Sequence, residues 1–175
     1  TVQNSLSMKT DKGDITIGHT VKSEQGSIAM QTGTGDITVG ADVTAHNNVN
    51  MGVKSGEINV GAKVQADNEV NMTMGKGNIT VGDSSTGKGS VVATNDVNVG
   101  VTNGNVNIEK SVESKNGSIT VKTNTGNIHI GNDPNAEDTV KAKQKVTLET
   151  ENGRITIDGR ASTVEGDIRV KAASE

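Results

Sequence analysis

The residues of this chain with the strongest claim to chemistry lie in Gly82-Asp-Ser-Ser-Thr-Gly87-Lys88-Gly89, which keeps the spacing of a phosphate-binding loop as far as its lysine. In such a loop backbone amides cradle phosphate oxygens, the lysine reaches the terminal phosphates, and a following Ser or Thr hydroxyl holds magnesium. Here the hydroxyl position is Gly89, and Ser90-Val-Val-Ala93 resumes a strand pattern where a helix should begin. The segment therefore reads as a polar loop. A second constellation is acidic: Asp14, Asp36 and Glu57 recur at intervals of 22 and 21 residues. Stacked about 5 Å apart on neighbouring strands, such carboxylates repel unless water or a cation lies between them. Calcium is the chemistry to consider, but the Gly-Gly-x-Gly-x-Asp repeat of calcium-loaded β-rolls is missing, so no metal is assigned. His19, His46 and His129 share no spacing and read as surface residues. Asn50, Asn71 and Asn98 read as an amide ladder, and Asn71, Asn78 and Asn116 open Asn-x-Ser/Thr sequons. No catalytic residue and no cofactor is assigned.

The elements that carry these residues are repeats. Gly13-Asp-Ile-Thr-Ile-Gly18 returns as Gly35-Asp-Ile-Thr-Val-Gly40, Gly56-Glu-Ile-Asn-Val-Gly61 and Gly77-Asn-Ile-Thr-Val-Gly82. It returns again as Gly104-Asn-Val-Asn-Ile-Glu109, Gly126-Asn-Ile-His-Ile-Gly131 and Gly153-Arg-Ile-Thr-Ile-Asp158. The leading glycines lie 22, 21, 21, 27, 22 and 27 residues apart, a period that marks a solenoid. Within the phrase the Ile and Val pair builds a core, the glycines turn corners, and the acid position alone is read as free to vary.

Two further strands complete each turn. Val21, Val43, Val64, Val91, Val112, Val140 and Ala161 begin one, and Ile28, Val49, Val70, Val97, Ile119, Val146 and Ile168 begin the other. From each of these but the last, the Ile or Val of the next phrase follows nine residues later. Alternation such as Val70-Asn-Met72-Thr-Met74 supports strands, with apolar residues inward and Thr or Asn outward. Where the gap before Ile28, Ile119 or Ile168 is seven residues a glycine is present (Gly26, Gly117, Gly166), and where it is six the glycine is absent. That correlation predicts a bulged corner with positive φ at those glycines.

The fold expected is all-β: a right-handed parallel β-helix with three short strands per 21–22-residue rung and about seven to eight rungs. Residues 1–175 read as one solenoid, opening and closing partway through a rung, hence as a fragment of a longer repeat protein. Rungs four and six each gain six residues at one corner, at about 83–88 and 132–137. These loops should protrude two rungs apart. Their candidate recognition residues are Asp83, Ser84, Ser85, Thr86 and Lys88 in the first, and Asn132, Asp133, Asn135 and Glu137 in the second.

Composition agrees with a narrow interior. Hydrophobic residues make up 30% of the chain, and Phe, Tyr and Trp are all absent, so burial falls to Val, Ile and Met. The net charge of −4 with interspersed signs gives no basic stripe for nucleic acid, and aromatic stacking platforms are lacking. No stretch approaches the length of a membrane span, and with no Cys there is no disulfide or thiolate chemistry.

The grammar of Gly-Asn/Asp-Ile-Thr-Val-Gly, a Val strand, then Asn-Asn-Val-Asn-Met or Gly-Ser-Ile-Thr-Val resembles the repeats of large secreted bacterial adhesins. These are the filamentous haemagglutinin-like exoproteins, including the leukotoxin-type filamentous adhesins, and the resemblance covers essentially the whole chain. It implies a right-handed β-helical shaft, secreted through an outer-membrane partner and displayed at the bacterial cell surface. The function expected is a structural shaft segment giving rigid extension and local adhesion. One alternative is a binding module whose loops contact a host receptor or glycan. Another is a carbohydrate-active β-helix enzyme, which would need clustered Asp and basic residues and aromatic sugar platforms that this chain lacks. The expectation is a chain that is not an enzyme.

Overall fold

A computed structural model describes residues 1–83 and 85–173, and none of them is helical. Eight strands, Leu6–Lys12, Ile28–Thr34, Val49–Ser55, Val70–Lys76, Val97–Asn103, Ile119–Thr125, Val146–Asn152 and Ile168–Ala172, pair in that order as one sheet. A second sheet stacks Ile15–Ile17, Ile37–Val39, Ile58–Val60, Ile79–Val81, Val106–Ile108, Ile128–Ile130 and Ile155–Ile157. The third stacks Val21–Ser23, Val43–Ala45, Val64–Ala66, Ser90–Ala93, Ser111–Ser114, Val140–Ala142 and Ala161–Thr163. All pairings within the three sheets are parallel, so each strand meets its equivalents in the rungs before and after it. This is a parallel β-helix with three strands per turn.

Register follows side-chain size. Ile15 pairs with Ile37 and Ile37 with Ile58, so identical or near-identical side chains stack in columns inside the coil. Because alternate residues of a strand face opposite ways, Ile, Val and Met fill the interior while Thr and Asn between them face outward. The interior is one continuous apolar cluster from Ile15 to Leu148. At the far end Ile168 and Val170 continue the inward columns by register yet are 42% and 50% exposed.

One side of the rung is longer than its side chains announce. All but the last of the first sheet's strands run for seven residues, because the backbone goes on pairing after the apolar alternation stops. The ladder skips one residue there: Thr32 pairs with Val53 and Thr34 with Ser55, leaving Gly33 and Lys54 at a bend.

The glycine prediction at the corners is corrected. Gly26, Gly117 and Gly166 are not among the glycines with positive φ. They are required for a different reason: a Cβ on Gly26 would lie 2.4 Å from the Ser5 nitrogen, and one on Gly166 would lie 2.2 Å from the Gln144 oxygen. Positive φ belongs instead to the leading glycine of every phrase, from Gly13 to Gly153.

The extra residue at the seven-residue corners also has a partner inside. The last residue of the preceding strand is Ser23, Ser114 or Thr163 in those rungs, and Ala45, Ala66, Ala93 or Ala142 in the others. Ser114, 1% exposed, donates its hydroxyl to the Asn95 carbonyl at 2.6 Å and accepts the Gly117 N–H at 3.0 Å. Ser23 does the same with Asn4 and Gly26. The bulged corner turns an amide inward, and the buried hydroxyl satisfies it. Ser114→Ala should therefore destabilise by roughly 1–3 kcal/mol in urea unfolding, the cost of leaving both groups buried without partners.

Candidate functional site

The first inserted loop joins Ile79–Val81 to Ser90–Ala93 and is organised by Asp83. The Asp83 carboxylate accepts the Ser85 N–H at 2.8 Å and its hydroxyl at 2.7 Å, and these bonds hold it below the usual carboxylate range. The Asp83 carbonyl takes the amides of Thr86 and Gly87 at 3.0 and 3.1 Å, and the Asp83 N–H donates to the Lys88 carbonyl. The amides that a phosphate would need are thus committed to an aspartate of the same loop. The likeness to a phosphate-binding loop ends with its spacing. Asp83, Ser85, Thr86 and Lys88 are exposed, and Ser84 lies outside the described residues.

The second loop joins Ile128–Ile130 to Val140–Ala142 and uses the same device. Asp133 accepts the Asn135 N–H through its side chain at 2.9 Å and the Ala136 N–H through its carbonyl at 3.1 Å. An Asp that bonds the backbone two residues on makes a turn without help from the core. Asn132, Asp133, Asn135 and Glu137 are all exposed. The arm that returns to the coil is anchored: Thr139 donates its hydroxyl to the Asp158 carbonyl at 2.8 Å, and the Arg160 N–H donates to the Ala136 carbonyl at 3.1 Å.

The strands preceding the two loops are separated by one rung, through Val106–Ile108. The loops span that interval, since a Cβ on Gly87 would lie 4.0 Å from the Asn132 side-chain nitrogen. The two loops therefore approach each other at one corner of the coil. Beside this corner is a cleft of about 150 Å³ lined by Asp42, Lys63, Lys88, Ser90 and Lys110.

The acid column is explained without a cation. Asp14 accepts the Asp36 N–H through Oδ1 at 2.9 Å, and Asp36 accepts the Glu57 N–H at 2.8 Å. The same bond continues from Asn78 to Asn105, Asn105 to Asn127 and Asn127 to Arg154, at 2.9, 2.8 and 2.8 Å. In five of the seven phrases the position carries a short side chain, Asp or Asn, whose oxygen reaches the next rung's amide, and Glu57 and Arg154 are the exceptions. Among the described residues no three His, Asp or Glu side chains converge as metal ligands.

Glu57 interrupts this ladder. It is one methylene longer, and in place of the backbone bond it contacts the Asn78 side-chain nitrogen at 3.4 Å. Glu57→Asn restores the link and removes a charge next to Asp36. A gain of about 1 kcal/mol is expected, read as a rise in Tm of roughly 2–4 °C.

The outward polar residues are similarly engaged. Asn71 donates to Asn50 at 3.1 Å and Asn98 donates to Asn71 at 3.0 Å, completing the amide ladder expected from the sequence. Of the three sequon asparagines, Asn71 and Asn78 have their side chains in ladders, while Asn116 is exposed at a corner. His46 lies 3.2 Å from Asp67 on an exposed corner.

His129 is the group that sequence reasoning placed on the surface and passed over. Its Nδ1 lies 3.0 Å from Asn107 Oδ1 and its Nε2 lies 2.9 Å from Asp158 Oδ2. Asn107 in turn donates its Nδ2 to Glu109, whose side chain belongs to a residue only 8% exposed. A chain Glu109–Asn107–His129–Asp158 thus crosses three rungs next to the two loops. A signal for it was available: Glu109 and Asp158 stand where the repeated phrase otherwise ends in glycine. Compared with known protein families, curated proteins and solved structures, the chain matches none of them.

Proposed function

We propose that the chain is a shaft segment of a secreted or surface-displayed bacterial filamentous adhesin, serving rigid extension. The observation that carries this reading is the unbroken register of three parallel sheets, reinforced at the corner by a side-chain ladder. The Asp and Asn column at the start of the phrase and the Asn50–Asn71–Asn98 column are bonded from rung to rung, which stiffens the rod. Full-length protein would reach the surface through an outer-membrane secretion partner, as the resemblance of the repeats implies.

A second reading is favoured by one observation. The two exposed loops approach each other beside a lysine-lined cleft, which suits a binding module for a host receptor or glycan.

One experiment separates them. The ends of the first loop meet, with the Cβ position of Gly82 only 2.5 Å from the Gly89 Cα, so residues 83–88 can be excised without reopening the coil. The excision should change stability by less than about 1 kcal/mol. The parent chain and a variant combining the excision with Asn132→Ala and Asn135→Ala are applied to glycan arrays and cultured host cells. The shaft reading expects no saturable binding by either. Saturable binding by the parent that the variant loses replaces the shaft reading with the binding module.

A further inference from the structure

The chain Glu109–Asn107–His129–Asp158 sets an acceptor against each ring nitrogen of its histidine. Asn107 gives its Nδ2 to the Glu109 carboxylate, so its Oδ1 must be the atom facing His129 Nδ1. Turning the amide over would set Oδ1 against a carboxylate oxygen. The atom facing Nε2 is the Asp158 carboxylate. Both ring nitrogens therefore meet acceptors, and only the imidazolium, with an N–H on each, makes both bonds.

The Asp158 end of the chain is the seat of the second loop. The Asp158 carbonyl accepts the Thr139 hydroxyl at 2.8 Å, the Thr139 N–H donates to the Arg160 carbonyl at 3.0 Å, and the Arg160 N–H donates to the Ala136 carbonyl at 3.1 Å. Contact is close enough that a Cβ on Gly159 would lie 2.1 Å from Thr139 Oγ1. Whatever steadies the corner Asp158-Gly159-Arg160 steadies the returning arm of the loop.

We propose that the imidazolium of His129 is a pH-dependent latch that holds the Asn132–Glu137 loop down on the following rung. Histidine is the side chain that ordinarily changes charge between about pH 5 and 8. Once neutral, the ring has a single N–H for two oxygens. Whichever oxygen keeps it, the other faces a lone pair, and the contact with Asp158 is no longer an ion pair. The other charged groups about the ring are Glu109, reached through Asn107 on the preceding rung, and Arg154, which lines the same cleft as His129. His129 and Asp158 side chains are 40% and 35% exposed, so solvent moderates the pairing and the latch is weak enough to open. The inference does not require the loop to bind anything, because its readout is the loop's own motion.

The chain contains no cysteine, so Asn135→Cys supplies a single site for a nitroxide spin label in the second loop and Thr86→Cys a control in the first. The mobile fraction of the second-loop label should rise roughly two- to fivefold from about pH 5 to about pH 8. The first-loop label should not respond, and His129→Gln should abolish the step. Should that variant fail to fold, Asp158→Asn, which keeps the shape and removes the charge, makes the same comparison. A second-loop label indifferent to pH in the otherwise unaltered chain, or a step that survives in His129→Gln or Asp158→Asn, overturns the proposal.

Discussion

Gly77→Ala is expected to destabilise the protein by roughly 4 kcal/mol, whereas Gly13→Ala, in the same column, costs roughly 1–3 kcal/mol. Both glycines have backbone angles that L side chains rarely adopt, with φ of 127° and 108°. They differ in what lies next to them. A Cβ on Gly77 would sit 1.6 Å from the Gly56 carbonyl oxygen, while one on Gly13 meets nothing nearer than Thr10 Oγ1 at 4.0 Å. The obstruction at Gly77 is backbone, and it cannot swing aside: Gly77 N–H donates to Asn103 and Gly56 N–H to Lys76, at 3.0 and 2.9 Å. The difference between the two variants isolates the cost of stacking from the cost of conformation. Since each rung contacts only its neighbours, a rung broken in mid-coil should also divide the molecule into two folding units. Urea unfolding followed by far-ultraviolet circular dichroism should show two transitions for Gly77→Ala and one for Gly13→Ala. Equal costs for the two would mean that the column is set by φ alone.

The inward columns were legible in the sequence because their signal is direct. Ile15, Ile37, Ile58 and Ile79 recur at the rung period, alternate with polar residues, and stack as that spacing requires. The interval of nine residues to each phrase was legible for the same reason, although the strand pairing beyond Met30 or Val53 was not, since backbone bonds leave no mark on side-chain pattern. The ladder at Asp14, Asp36, Asn78 and Asn127 was hidden by reading those residues for charge. Asp and Asn differ in charge but present the same acceptor at the same reach, and it is the acceptor that the fold uses. At Gly26 the sequence shows that glycine is needed but not whether φ or a neighbour needs it. The approach of Asn132 to Gly87 depends on the course of two loops and has no counterpart in spacing. What the protein is for is the least legible part. The columns that would advertise a site are the same columns that hold the rungs together.

Met72→Ala should cost roughly 2–5 kcal/mol, and Met72→Leu less than about 1.5 kcal/mol. Met30, Met51 and Met72 stack in one inward column that continues into Val99, and their exposures are 0%, 2% and 0%. With no aromatic residue in the chain, each inward column is filled by one medium-sized side chain per rung, and no larger neighbour can lean into a gap. Nor can the walls close in, because backbone bonds fix the rungs about 4.8 Å apart. The cavity should therefore persist, placing Met72→Ala in the upper half of its range. Val170 occupies the same column at its exposed end, paired with Leu148, and is 50% exposed. Val170→Ala should change stability by no more than about 0.5 kcal/mol. Chemical denaturation of the three variants tests the gradient along the column. A small loss at Met72, close to that at Val170, would mean an interior that yields. A coil that yields inside cannot transmit tension along its axis, so that result would count directly against the shaft.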